Sequence, residues 1–207
     1  MVTIHHLERS RSDRIIWLCE ELGIDYDITH HQRDPATMRA STTLWAVNPL
    51  GKSPAIEHQG QVVFESGAII EYLLSTFGPT SLSPSPDAEG YIDYLQWLHA
   101  PEATMTLPIL MPMICGTMGI ESELLPLFAD SETQTMYRYL NSELTQRDYI
   151  AGGDFTAADI MLSYTLMMAQ ALATSEPEKV FFEYPALTAY LSRLRARPAY
   201  QSASAKF

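Results

Sequence analysis

The sequence predicts an α/β domain at the N-terminus, ordered strand–helix–strand and then strand–strand–helix, followed by an all-helical domain. Three observations carry that expectation. The apolar period in the first third switches from two residues to the helical period and back. A proline- and serine-rich stretch, GPTSLSPSPDA, then interrupts every pattern between Gly78 and Ala88. Beyond it the apolar residues recur at helical spacing. The 207 residues, 46% apolar and 18% charged, suffice for one large domain or two small ones with a real core. The expected division is an N-terminal domain over 1–78, a linker over 79–88 and a helical domain over 89–207.

Val2 to Leu7 is short, β-branched and turn-bounded, and reads as a strand. Ile15, Leu18, Cys19 and Leu22 then recur at i, i+3, i+4, i+7, the stripe of an amphipathic helix, with Gly23 where a C′ residue belongs. IDYDIT restores alternation through Tyr26 and Ile28 as a second strand. From His31 to Val47 the pattern sets no firm boundary, with Pro35 early and room for a short helix over Ser41 to Ala46. SPAIEH and QVVF, joined by Gln59-Gly60, read as a hairpin, and Ile70, Leu73, Leu74 and Phe77 form a second helical stripe closed by Gly78 and Pro79.

In the second half one helical face carries Tyr91, Leu95 and Leu98, another Met136, Leu140 and Leu144. A third carries Ile160, Tyr164, Met167 and Ala171, and a fourth Leu187, Tyr190, Leu191 and Leu194. Pro101, Pro108 and Pro112 each remove a backbone donor, which predicts a break near Pro101. Thr156 and Asp159 bracket the start of the third helix as a capping-box variant.

Thirteen Lys and Arg against 25 Asp and Glu give a net charge of −12, which repels nucleic-acid phosphates. No apolar run approaches the roughly 18 residues that a membrane span needs. The opening MVTIHHLERSRSDR lacks the apolar block of a signal peptide. A cytoplasmic protein with no nucleic-acid or membrane partner is expected. Its two cysteines, Cys19 and Cys115, are too few for a disulfide framework and have no metal-ligand spacing. His5/His6 and His30/His31 are strand neighbours that point to opposite faces, so no metal site is expected.

Three short segments can carry chemistry. In ERSRSDR, residues 8–14, a serine ahead of an amphipathic helix ordinarily serves as its N-cap; the same place offers a thiolate both a hydroxyl and the positive end of the helix dipole. Ser12 lies closer to the helix and is the better cap. In NPLGKSP, residues 48–54, a proline directly after Lys52-Ser53 suits a cis bond that exposes the Ser53 backbone to an extended peptide. Glu65-Ser66 is either a capping pair or an amino-acid clamp, with a carboxylate for an ammonium and a hydroxyl with helix N–H groups for a carboxylate.

In this order, and together with HHLERSRSDRIIWLCEELGIDYDI, NPLGKSPAIE, FESGAIIEYL, FTAADI and YPALTAYLSRLRARPAY, these segments resemble the glutathione transferase superfamily over essentially the whole chain. The nearest resemblance is to the serine-type fungal and bacterial transferases with histidine or asparagine ahead of Ser-Arg. Here the triplet is Arg9-Ser10-Arg11. The resemblance implies a thioredoxin-like first domain and a homodimeric, cytoplasmic detoxification enzyme. It would conjugate glutathione to a small electrophile, with no metal and no cofactor beyond the co-substrate glutathione. It implies that Ser10 activates the glutathione sulfur and Lys52 meets the glycine carboxylate. Ser53, held before Pro54, would pair its backbone with the cysteinyl unit, and Glu65 with Ser66 would clamp the γ-glutamyl group. Arg14 matches a structural arginine, and Glu102 would reach the partner's glutathione.

The magnitudes agree with that chemistry. A free thiol near pKa 8.5 is only a few per cent ionised at neutral pH, and each unit of depression needs about 1.4 kcal/mol in favour of the thiolate. One charge-assisted hydrogen bond of about 1.5 to 3 kcal/mol lowers the pKa by roughly one to two units. Glutathione's carboxylates meet a chain of charge −12, so they need local cations: Lys52 first, then Arg11 and Arg39.

Some superfamily members place a cysteine at this turn and exchange disulfides, but Cys19 falls on the apolar stripe of its helix and reads as core. Met105, Met111, Met113 and Met118, with Tyr164, read either as an adaptable acceptor pocket or as plain core. Two alternatives stand beside conjugation. One is glutathione-dependent reduction of peroxides or disulfides; the other is a non-catalytic binding or interaction subunit on the same fold.

Overall fold

A computed structural model describes residues 1–173 and 176–207. They form two compact units, Met1–Ser83 with Arg195–Phe207, and Pro84–Leu194. In the first unit, β1 (Val2–Leu7), α1 (Asp13–Leu22), β2 (Tyr26–His31), α2 (Thr42–Trp45), β3 (Ala55–His58), β4 (Gln61–Phe64) and α3 (Ser66–Phe77) follow in chain order. The sheet order is β2-β1-β3-β4, with β1 parallel to β2 and antiparallel to β3. Val2 and Ile4 of β1, Ile56 of β3, Ile15 and Leu18 of α1, and Ile69, Ile70 and Leu73 of α3 are buried together as the core of this unit.

Local chemistry sets the ends of these elements. Gly23, at φ 62°, closes α1 with its N–H on the Glu20 carbonyl, while Ile24 N–H reaches the Cys19 carbonyl. Gln59 and Gly60 take φ 51° and 76°, the left-handed pair of a two-residue type I′ hairpin. The stretch after β2 that lacked a sequence boundary is tied down by hydrogen bonds. Asp34 Oδ1 accepts from the N–H groups of Ala36 and Thr37, and the Arg33 guanidinium donates to the carbonyls of Glu8, Arg9 and Met38.

In the second unit, α4 (Tyr91–Ala100) runs into α5 (Thr106–Met118), and α6 (Leu124–Gln146), α7 (Ala157–Leu172) and α8 (Pro185–Arg195) follow. The break predicted near Pro101 is instead one π-helical turn, Pro101–Met105, in which both the N–H and the hydroxyl of Thr106 reach the Pro101 carbonyl. Widening the turn accommodates the proline while the chain stays helical. The capping box at Thr156 and Asp159 is present. Asp159 is fully buried and accepts from the N–H groups of Ile150 and Thr156 and from the hydroxyls of Thr156 and Tyr190.

The end of the chain differs from a single helical domain over 89–207, because α9 (Pro198–Ser204) packs on α1 in the first unit. Tyr200 meets Trp17 edge-on at 5.0 Å, and Arg197 makes a two-pronged bond to Glu21 at 2.6 and 2.8 Å. Lys206 bonds Glu20 at 2.6 Å. These partners lie more than 170 residues apart in sequence, beyond the reach of any periodicity.

Candidate functional site

The register Ala55↔Phe64 sets Pro54 and Glu65 side by side just beyond the paired ends of β3 and β4, and the pair His5↔Ala55 brings the end of β1 to the same edge. Both α1 and α3 begin there, so two helix N-termini share the edge with Ser10, Ser53, Glu65 and Ser66. N–H groups at a helix N-terminus have no intrahelical acceptor and carry partial positive charge, which favours anionic groups.

Ser10 is buried, at 7% exposure. Its hydroxyl lies 2.7 Å from that of Ser12 and donates to that of Ser53 at 3.1 Å, and the Ser12 N–H reaches it at 3.3 Å. Ser12 corrects the sequence expectation. It occupies the N-cap position, yet its backbone is already helical and its side chain makes no capping bond. The hydroxyl is instead fully buried between Ser10 and His6, whose Nδ1 lies 2.9 Å away. Burial, and then the charge of His30, push the His6 imidazole down to about 4. Burial pushes the neighbouring Asp13 carboxyl up to about 7. In the sequence His6 stands out only as half of an adjacent histidine pair considered for metal binding, not as a partner of Ser12.

Ser53 precedes Pro54 through a cis peptide bond and donates its hydroxyl to the His5 carbonyl at 3.3 Å. The loop ahead of it is organised by Asn48, a buried residue that sequence reasoning passed over. The Asn48 side chain donates to the Lys52 carbonyl at 2.8 Å and accepts from the Leu50 N–H at 3.0 Å. Gly51 sits at φ 59°, and a Cβ there would come within 2.2 Å of the Trp45 ring, so only glycine turns this corner. Lys52 is left exposed.

Glu65 is exposed and adopts φ 74°, ψ 124°, a conformation that a non-glycine residue holds only under constraint. Ser66, the first residue of α3, is buried, and its hydroxyl accepts from Arg14 Nη1 at 3.5 Å. Arg14 is itself 1% exposed, so the first turns of α1 and α3 are joined through a buried guanidinium. That arrangement suits the structural role the resemblance implies for Arg14.

The family model of the glutathione S-transferase N-terminal domain matches residues 3–75, and that of the glutathione S-transferase C-terminal domain matches residues 98–198. The chain belongs to the glutathione S-transferase family. Glutathione S-transferase 3 of Schizosaccharomyces pombe is 31% identical over 188 residues, covering 82% of this chain and 75% of its own. Glutathione S-transferase 1 of Saccharomyces cerevisiae is 25% identical over 227 residues, covering 100% of this chain and 95% of its own. The crystal structure of a glutathione S-transferase from Actinobacillus pleuropneumoniae superposes with a TM-score of 0.87 at 29% identity, over 100% of this chain and 92% of that one.

Elsewhere in this transferase, Cys19 is fully buried on α1, where burial pushes its thiol up to about 12. Cys115 is buried on α5. His5 pairs with His31, Nδ1 to Nε2 at 2.9 Å, while His6 meets the His30 ring edge-on at 5.3 Å, so adjacent histidines take different neighbours. Within the helical unit Met105 is buried, Met111 and Tyr164 are half-buried and Met113 is exposed. Met105 lines a cavity of about 230 Å³ with Trp97, Met136, Tyr139 and Leu140, whose lining does not include Met111, Met113 or Tyr164.

Proposed function

We infer that this glutathione transferase binds glutathione at the strand-end edge of its thioredoxin-like unit and conjugates the thiolate to small electrophiles. Ser10 acts as hydrogen-bond donor to the sulfur, and Lys52, Ser53, Pro54, Glu65 and Ser66 form the glutathione-binding set. One observation carries the reading. The Ser10 hydroxyl stands beside Ser53 at 3.1 Å, on the sheet edge where α1 and α3 present their N-termini and where Glu65 projects into solvent.

In this reading Glu65 pairs with the γ-glutamyl ammonium, and Ser66 with the first turn of α3 receives the adjacent carboxylate. The Ser53 backbone pairs with the cysteinyl unit, and Lys52 meets the glycine carboxylate. The thiol proton leaves to water. Ser10 donates to the resulting thiolate, whose lone pair forms the new carbon–sulfur bond. The electrophile either releases its leaving group with the bonding pair or takes up the pair of an opened π bond and a proton from water. Met105, Met111, Met113 and Tyr164 are the residues we assign to the acceptor. A homodimer in a reducing, cytoplasmic setting completes the proposal, in keeping with two free, buried cysteines.

Two measurements on the purified protein test the reading: retention on immobilised glutathione, and turnover of a generic electrophilic aromatic acceptor. Both are expected. Retention without turnover contradicts catalysis and points to a binding subunit. Glutathione oxidation by peroxide in place of conjugation moves the chemistry to reduction.

A further inference from the structure

Each serine hydroxyl has one proton, and that count gives the cluster around Ser10 a direction. The carbonyl of His5 can only accept, so the Ser53 proton is committed to it and the Ser53 oxygen accepts from Ser10. The Ser10 proton is therefore spent on Ser53, and Ser10 must accept across its 2.7 Å contact with Ser12. Ser12, having donated, must accept from His6, so His6 carries its proton on Nδ1. The Ser12 N–H also reaches the Ser10 oxygen, at 3.3 Å. Ser10 is thus filled as an acceptor from behind, and its own proton is the one group it has to offer.

We propose that His6 and Ser12 are positioning residues, forming a one-way relay from His6 through Ser12 to Ser10 that aims the Ser10 proton at the glutathione sulfur. The proposal rests on the reading of Ser10 as donor to the thiolate. When glutathione binds, the Ser10 proton turns from Ser53 to the sulfur while the two bonds behind it persist. Hydrogen bonds in series polarise one another, so the donor at the end of the chain is stronger than an isolated hydroxyl. Because Ser10 can offer only a proton, it stabilises the thiolate and does not act as the base that forms it.

The surroundings of His6 keep the relay in one state. Its neighbours are Asp13 of α1, 3.8 Å from Nδ1, and the His30 ring of β2 at 5.3 Å, and the charges of Glu8 and His31 also act on it. Burial in this company keeps the imidazole neutral through the physiological range. The Asp13 carboxylate, where ionised, favours a proton on the ring nitrogen that faces it. A charged imidazolium would also donate, but a neutral ring protonated on the other nitrogen would reverse the chain.

The test reads the thiol pKa of glutathione in its complex, by titrating thiolate absorbance, beside glutathione affinity. Ser12→Ala and His6→Leu should each raise that pKa by about half a unit, lowering the thiolate fraction at neutral pH roughly 1.5- to 2.6-fold, with affinity unchanged. Ser12→Thr, and His6→Asn with its amide N–H near the place of Nδ1, should restore the wild-type value. Ser10→Ala should produce the full loss. If Ser10→Ala raises the pKa while Ser12→Ala and His6→Leu leave it alone, the relay is overturned and Ser10 stands. If Ser10→Ala also leaves it alone, the underlying donor reading fails and takes the relay with it. Should the buried variants not fold, nitrogen NMR of the isotope-labelled wild-type protein decides. A neutral His6 protonated on Nδ1 is expected, and protonation on Nε2 alone overturns the relay.

Discussion

The hydroxyl of Ser10 donates to that of Ser53 at 3.1 Å, across 43 residues of sequence. That contact joins the turn before α1 to the loop before β3, the two segments that in the proposed function hold the sulfur and the cysteinyl backbone of glutathione. Neither side chain reaches the other within a single element. The sheet brings them together by pairing His5 with Ala55.

Glutathione affinity tests the other side of the edge. Glu65→Ala removes the proposed partner of the γ-glutamyl ammonium and should raise the dissociation constant about tenfold or more, from roughly 1.5 to 3 kcal/mol for a charge-assisted contact. Calorimetric titration with unchanged affinity would remove Glu65 from the site.

The cysteines should be dispensable for chemistry. Cys19 is fully buried with its thiol pushed up to about 12, so it is held neutral and sealed from substrate. The double variant Cys19→Ala, Cys115→Ser should lose about 1 kcal/mol or more of stability through the small cavity left at Cys19, yet keep conjugation. A well-folded double variant without activity would instead favour an enzyme thiol.

Much of this architecture was legible in the chain because its signals are local. The Gly23 helix end, the Gln59-Gly60 hairpin and the Thr156/Asp159 capping box each depend on residues within a few positions of one another. What was not legible depends on distant partners. Ser12 looked like a cap because the sequence does not show that a buried His6 claims its hydroxyl. Asn48 and Arg33 gave no sign that they fasten the loops beside the site, since their acceptors are backbone carbonyls. The assignment of α9 to the first unit depends on Glu21 and Trp17, far away in sequence. Pro101 signalled a break, and only the widened turn shows how the helix absorbs it.

Two buried titrating neighbours should oppose each other in the pH dependence of stability. Burial pushes His6 down to about 4, so from about pH 4 to 6.5 the unfolded chain binds a proton that the folded one does not, and this group makes stability rise with pH. Burial pushes Asp13 up to about 7, so from about pH 4 to 7 the folded chain holds a proton that the unfolded one has lost, and stability falls with pH. Relative to wild type, Asp13→Asn should therefore steepen the rise of stability over this window, and His6→Asn should turn it towards a fall. Denaturant melts at a series of pH values measure both slopes, and equal slopes in the two variants would contradict the assignment.

Association follows from the proposed homodimer. Light scattering at micromolar concentration should return twice 23.2 kDa. A monomer with full activity would discard the dimer and, with it, the idea that Glu102 reaches a neighbour's glutathione.

Whether the Ser10 hydroxyl lowers the pKa of bound glutathione is read most directly by a pH titration of thiolate absorbance in the glutathione complexes of wild type and Ser10→Ala. In Ser10→Ala the thiol pKa should rise by roughly one to two units and turnover at neutral pH should fall about 8- to 25-fold, with about 1 to 3 kcal/mol of stability lost because the buried Ser12 hydroxyl and N–H lose their acceptor. An unchanged thiol pKa in a folded Ser10→Ala protein would contradict the role given to Ser10 and leave the backbone donors and the start of α1 as the source of activation.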